Sequence, residues 1–337
     1  MRLGLWMIVF AVLWKVVGSG VLQTVAEKLK GPSVAAFLLY LETGRVVPPE
    51  TAATEPQQTL AAVATETTVP QTTVETTVPQ TTAEQRLPVA FTKEEGVLVD
   101  MSNATRYAVD LEQLVTRPVN WDLTQGGPKV LIVHTHATES FTKAGESYEE
   151  SGNFRTLNEG YNMVRVGEVL AQVLGSYGIE VIHDRTLHDY PSYNGSYNAS
   201  RKTVERYLQQ FPDLALVLDV HRDAVELADG RQMDTSAQVN GRESARLMLV
   251  MGTDAGGLHH PRWQENLTVA AQLHAQLERS APGIMRQLYL RRERFNQDLL
   301  PGMLLVEVGA AGNTLPEALT AAEALGHAIG ALRYGTN

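Results

Sequence analysis

The 337-residue sequence contains no cysteine. That excludes disulfides, thiolate metal sites and a cysteine nucleophile, so any metal must be held by His, Asp or Glu, a set that zinc accepts. Positive charge is also scarce. Lys and Arg number 28 against 38 Asp and Glu, a net charge of −10. The basic footprint that grips nucleic acid is absent, so no nucleic-acid partner is expected. Neither a P-loop nor a G-x-G-x-x-G fingerprint occupies a strand-to-helix turn, which argues against a nucleotide enzyme. Large apolar side chains are almost missing from residues 48–88, PPETAATEPQQTLAAVATETTVPQTTVETTVPQTTAEQRLP, where TTVPQTTVETTVPQTT nearly repeats itself. Such a Thr, Pro, Glu and Gln mixture cannot bury enough surface to offset chain entropy, and it reads as an extended, solvated linker.

Long apolar runs are confined to the other parts of the chain. Residues 3–25, LGLWMIVFAVLWKVVGSGVLQTV, are apolar apart from Lys15, Ser19, Gln23 and Thr24. A spanning helix needs roughly 20 mostly apolar residues, and a lysine stem can snorkel. A cleaved signal peptide would want a basic start, a shorter apolar run and an A-x-A-like site. The expectation is therefore an uncleaved, single-pass membrane anchor. With the short apolar patch SVAAFLLYLE, residues 33–42, it makes an N-terminal segment of residues 1–47. The linker occupies 48–90 and a globular domain 91–337, outside the cytoplasm.

In the globular part, apolar runs alternate with helical spacing. KVLIV (129–133), IEVIHD (179–184), LALVLDV (214–220), ARLMLVMG (245–252) and MLLVEVG (303–309) read as buried strands. Residues 161–178, 200–211, 263–279 and 314–334 read as helices, with Gly178 as a C-terminal stop and Ser200 as an N-cap. Continuous apolar strands between helices predict an α/β domain with a mainly parallel sheet covered on both faces.

Ligands of open α/β sheets sit beyond the carboxyl ends of strands. The first strand ends in His134-Thr135-His136 with Glu139 just beyond. The third ends in His221-Arg222-Asp223, and the fifth carries Glu307. Alternation is expected to put His134 and His136 on one face. Two His and one Glu give three ligands and leave a place for water, and a separate carboxylate such as Glu307 can move the proton. Each residue also has a structural reading: a strand-end histidine in a loop, Glu139 at a helix N-terminus, and for Arg222, Asp219 and Asp223 a salt bridge, as readily as a role in orienting the ligating imidazole. Glu307 favours function most, because an unpaired carboxylate inside a strand is costly. The other six histidines read as surface or packing residues. Ser140 has no G-x-S-x-G elbow around it, so a serine hydrolase is disfavoured.

Six ordered blocks then carry a resemblance: VHTHATESF (133–141), VRVGEVL (164–170), HDRTLHDYPSYNGSYNASRKTVERYL (183–208), LDVHRDA (218–224), HPRWQENL (260–267) and FNQDLLPGMLLVEVGAAGNTLPEA (295–318). From about residue 128 to the C-terminus the chain resembles stage II sporulation protein P, a cell-wall hydrolase family of endospore-forming bacteria. The resemblance implies a zinc amidase-like fold and an N-acetylmuramoyl-L-alanine amidase acting on peptidoglycan. It implies Zn2+ held by His136, Glu139 and His221, with His134 the alternative histidine, and Glu159 and Asn162 less persuasive than Glu139. It implies Glu307 as the catalytic carboxylate, helped by Arg222 at the oxyanion. Stage II sporulation proteins D and M are implied as partners at the septum during engulfment. Asn296, Gln297 and Asp298 are read either as substrate holders or as loop packing. The rival readings are a zinc endopeptidase cutting stem-peptide cross-links and a wall-binding module without catalysis.

Overall fold

The computed structural model describes residues 86–142, 154–228 and 232–337. The expected anchor, and nearly all of the expected linker, lie outside the described residues. Among those described, no helix is long and apolar enough to cross a membrane.

The described residues form nine strands: β1 (Met101–Asn103), β2 (Val130–Val133), β3 (Val181–His183), β4 (Leu216–Asp223), β5 (Ser236–Val239), β6 (Arg242–Ala245), β7 (Leu247–Met251), β8 (Leu288–Leu290) and β9 (Met303–Ala310). The helices are α1 (Leu111–Thr116), α2 (Met163–Ser176), α3 (Ser196–Gln210), α4 (Trp263–Ser280) and α5 (Leu315–Ala331). Seven strands form one sheet in the order β1-β8-β7-β9-β4-β2-β3. All neighbours pair in parallel except β7 with β9. The expected mainly parallel α/β sheet is therefore the architecture observed.

Strand alternation divides the core into two faces. Val130, Ile132, Leu216, Leu218, Val220, Leu304, Val306 and Val308 pack with the buried sides of α2, α4 and α5. The opposite face carries Leu131, Val133, Val217 and Met303 beneath Val204 of α3. Farther along that second face, beyond β9, lies a smaller patch of Met248, Val250 and Leu305, flanked by Tyr289 and Phe295.

Local chemistry sets the helix ends. Asn162 caps α2 by accepting from Val164 N at 3.0 Å, and Gly178 adopts a left-handed φ of 74° past its end, the usual stop. Thr314 and Glu317 form a capping box at α5. The helix expected from Ser200 instead starts at Ser196, after Gly195 in a left-handed conformation. Ser200 therefore sits inside the helix, and its hydroxyl lies 2.7 Å from Thr135 Oγ1. Sequence reasoning passed over the edge strand β1 and its neighbour β8, which are three residues each. It also passed over the β5–β6 hairpin, although Asn240-Gly241 at its turn, with φ of 50° and 76°, is the standard signal for one.

Candidate metal centre

The central strands end at one rim, and β4 and β9 bring two of the expected residues side by side. His221 and Glu307 are paired in register. Both belong to the alternating set of the α3 face, with Val217 and Asp219 before His221, and Met303 and Leu305 before Glu307. The chain leaves β2 after Val133 and turns through residues 134–138, which carries His136 and Glu139 across the top of the same face.

His136, Glu139 and His221 thereby meet, each buried, with one ligand atom from each lying within 4.8 Å of the others. Glu139 stands between the imidazoles: Oε1 is 3.5 Å from His136 Nδ1 and Oε2 is 3.6 Å from His221 Nδ1. The far nitrogens are engaged by protein. His136 Nε2 lies 3.0 Å from Ser196 Oγ at the start of α3. His221 Nε2 lies 2.9 Å from Asp219 Oδ1, an ion-pair contact that approaches off the hydrogen-bond axis. In the tautomer that offers a lone pair at Nδ1, each imidazole keeps its proton on Nε2, beside these oxygens. That is how metal-binding histidines are usually oriented.

The electrostatics fit a cation. Burial pulls His136 below its ordinary pKa, opposed by Glu139, so its ring stays neutral. Burial also lowers His221, but the carboxylates of Asp219 and Glu139 outweigh it and raise that histidine well above the usual value. Burial raises Glu139, yet Arg222 and the two imidazoles hold it well below the carboxylate range. Asp219 falls to about 2, its burial overcome by His221 and Thr135. Without an ion, a proton on His221 is thus the charge sitting between two buried carboxylates. A divalent metal can replace it, and a neutral His, a carboxylate and a second His are a donor set that suits one.

Arg222 occupies a different position from the one expected. Alternation turns it to the opposite face from His221. Its Nε donates to Ser140 O and its Nη2 to Phe154 O, both at 2.8 Å, and Nη1 lies 3.7 Å from Glu139. Its backbone N also donates to Glu139 Oε2 at 3.2 Å. Arg222 therefore anchors the segment bearing Glu139 and does not face the open side of the cluster.

His134 does not join the three either. The expectation of one shared face assumed a strand running on to residue 136, but β2 ends at Val133. His134 continues the α2 side instead. Its Nδ1 contacts Val220 O at 3.0 Å and its Nε2 lies 2.9 Å from His183 Nε2. Burial and His183 lower its pKa to about 3. Gly167 of α2 leaves room for the pair, since a Cβ there would stand 2.5 Å from His183 Nε2. Glu159 pairs with Arg185 at the surface, and Asn162 is the α2 cap. Gln297 holds Gly252 N and Val250 O, both at 2.8 Å, and Asn296 donates to Tyr197 O at 2.8 Å. Asp298 forms an ion pair with Arg201. These three residues brace α3 against the sheet.

Four residues near the cluster were not singled out from the sequence. Tyr193 stacks on His136 with centroids 4.4 Å apart, and Tyr197 meets His136 edge-on at 5.6 Å. Arg155 lies over Tyr193 and pairs with Asp189 at 2.6 Å, and Asp189 in turn holds Thr138. The Tyr197 ring also lies parallel to His221. Burial, with Asp219, Tyr193, Glu307 and Glu139 nearby, raises its pKa well above the ordinary phenol value. The four-residue spacing of Tyr193 and Tyr197 was visible, but their relevance depended on where α3 begins.

Stage II sporulation protein P of Bacillus subtilis (strain 168) is 30% identical over 215 residues, 60% of this chain and 50% of that protein. The chain thus spans about half the length of the curated relative it matches. Among solved structures, an N-acetylmuramoyl-L-alanine amidase of Nostoc punctiforme is 15% identical with a TM-score of 0.36, covering 60% of this chain and 97% of the other. One from Clostridium difficile 630 is 13% identical with a TM-score of 0.34, covering 61% and 96%. The family model of stage II sporulation protein P matches residues 37–330. That match takes in His136, Glu139, His221 and Glu307 together, and the chain belongs to the stage II sporulation protein P family.

Proposed function

We propose that this protein is a zinc-dependent peptidoglycan hydrolase that cleaves the amide between N-acetylmuramic acid and L-alanine. On this reading it thins the septal wall for engulfment during sporulation, anchored in the cell membrane by its N-terminal segment and working with stage II sporulation proteins D and M. The observation that carries the chemistry is the buried His136–Glu139–His221 triangle with Glu307 in register beside His221. The relatives named above support the substrate and the setting.

When bound, zinc lowers the pKa of a water to about 7 and polarises a carbonyl. His136, Glu139 and His221 are the residues that would hold it. Ser196 and Asp219 keep both imidazoles oriented, and Arg222 keeps Glu139 in place. Glu307 takes the proton of the attacking water and returns it to the departing amine of L-alanine. Tyr197, rather than Arg222, supplies the hydrogen bond to the carbonyl oxygen as charge develops there. Its ring lies against both histidines and no hydrogen bond engages its hydroxyl among the described residues.

The test uses the full chain, wild type against Glu307→Gln and His221→Ala, with bound zinc and digestion of purified wall measured together. Glu307→Gln keeps about one zinc and loses roughly 10²–10⁴ in kcat, while His221→Ala loses both. New lactyl ends among the products mark the amidase bond. Near-wild-type turnover by Glu307→Gln, or uncrosslinked stem peptides without lactyl ends, would overturn the assignment.

A further inference from the structure

The rim that carries the metal cluster continues past Glu307. Because β7 runs antiparallel to β9, the start of β7 lies beside the carboxyl end of β9, and Met248 pairs with Glu307. β8 and β1 run parallel to β7, so their beginnings share this rim. Tyr289 pairs with Val250 on one side and Ser102 on the other, and by alternation all of these side chains stand on the face that bears Glu307. The buried residues of α1, α2, α4 and α5 belong to the other face, and α3 covers only the β2–β4 side. A cavity of about 600 Å³ opens where these strand beginnings meet the end of α4, lined by Ser102, Arg246, Met248, Arg286 and Tyr289 and by Glu278 of α4 among others. That volume is within the range of ligand sites.

Charge distinguishes one end of the cavity. Two acids line it, each held by neutral donors: Asp100 accepts from Gln287 at 3.0 Å, and Glu278 accepts from Gly283 N and Met285 N, each at 2.8 Å. Arg286 is paired with Asp223 at 2.9 Å, two residues beyond His221, which ties the cavity wall to the metal centre. Arg246 is different. It donates through Nη2 to Met285 O, its buried Nε has no hydrogen-bond partner, and among the described residues no carboxylate pairs with it.

We propose that this open half of the sheet is a binding groove for the peptide side of the substrate, an extended, carboxylate-bearing peptide whose anionic group is held by Arg246. The proposal rests on the hydrolase reading above and specifies which part of the substrate lies where. The dimensions agree. From β4 to β1 there are four strand-to-strand steps, about 19 Å in all at the usual spacing, and about six extended residues span that distance. Apolar Met248 and the ring of Tyr289 line the path, and the cation stands where a carboxylate of the peptide would otherwise be desolvated without a partner.

The test is binding of a dye-labelled stem pentapeptide, followed by fluorescence anisotropy, to the full chain carrying Glu307→Gln so that the probe is not consumed. Arg246→Gln removes the cation while keeping a donor for Met285 O, and Ser102→Trp fills the far end of the groove without touching Arg246. Each is expected to weaken binding about tenfold, Arg246→Lys is expected to restore part of the loss, and a chitin oligosaccharide is expected not to compete. Equal affinity in both variants, or competition by the oligosaccharide as strong as by unlabelled peptide, overturns the groove. The two proposals fail separately. Arg246-dependent peptide binding in a protein whose wild type releases no lactyl ends supports the groove and sinks the hydrolase. Lactyl-end release with peptide binding indifferent to Arg246 does the reverse.

Discussion

Asp219 lets the electrostatic argument be tested at one atom. In β4 it stands two residues before His221, on the same face and fully buried. Its Oδ1 accepts from Thr135 N at 2.8 Å and lies 2.9 Å from His221 Nε2, and its Oδ2 accepts from Thr135 Oγ1 at 2.6 Å. Asp219→Asn keeps the volume and removes the charge. The Thr135 hydroxyl can turn its proton to Ser200, already 2.7 Å away, and accept from the new amide, so hydrogen bonds are rearranged rather than abandoned. What is lost is their charge assistance, a cost of about 1–3 kcal/mol of folding stability. The effect on metal binding has two opposing parts. With Asp219 neutral, His221 loses its strongest support for protonation and its pKa falls, which weakens proton competition for the site. The same carboxylate attracts a divalent ion twice as strongly as a proton at equal distance, and it orients the ring. The second part dominates, so metal affinity is expected to fall roughly 10–100-fold. Competition with a chromophoric chelator measures the affinity, and urea denaturation of the metal-free chain measures the stability. An Asp219→Asn protein with zinc affinity within twofold of wild type would refute the argument that this carboxylate tunes the site.

Other outcomes follow from single contacts. Gly167→Ala would drive a Cβ to 2.5 Å from His183 Nε2 and 2.7 Å from His134 Nε2, a clash expected to cost about 1–3 kcal/mol. A melting temperature unchanged from wild type would contradict the packing described. His274 is buried, and burial, opposed by Glu278 and Asp100, lowers its pKa to about 4. The unfolded chain binds that proton near pH 6.5 and the folded chain does not. The His274 contribution to stability is therefore full above pH 6.5 and falls by about 1.4 kcal/mol per unit as the pH drops toward 4. Denaturation series at pH 5 and 7 should show a shallower pH slope in His274→Gln, and an identical slope would be the contrary result. Tyr197→Phe is expected to keep zinc and KM while lowering kcat about 10–100-fold. A loss carried by KM alone would move Tyr197 out of the transition state and into substrate binding.

The α/β architecture was legible because its evidence is local and repeated. Buried parallel strands are continuous apolar runs, and VLIV, LVL and MLLV stand out whatever surrounds them. The edge strand β1 and its neighbour β8 are short and gain their structure from pairing, which no local pattern announces. His221 and Glu307 were readable as a pair for the same reason as the strands, since residues at the ends of adjacent buried strands share a rim. His134 and Arg222 were not readable in this way, because side-chain direction depends on where a strand stops. One residue more of β2 would have carried His136 elsewhere, and because β4 runs on to Asp223, past the expected end at residue 220, alternation sends His221 and Arg222 to opposite faces.

That dependence explains how the site is built. The two candidate ligands nearest in sequence, His136 and Glu139, stand on a turn rather than on a strand, and a turn does not hold geometry by itself. Rigidity is supplied from outside it. Arg222 grips Glu139 and the carbonyls of Ser140 and Phe154, Asp189 grips Thr138 and Arg155, and the first turn of α3 brings Ser196 and Tyr197 against His136. The third candidate ligand, His221, belongs to the central strand and needs only Asp219 behind it. The half of the candidate metal centre that stands on the turn is thus held by a network of charged groups, and the strand-borne half by the sheet. Changes in that network, at Arg222 or Asp189, should disturb Glu139 and His136 before they disturb His221 or Glu307.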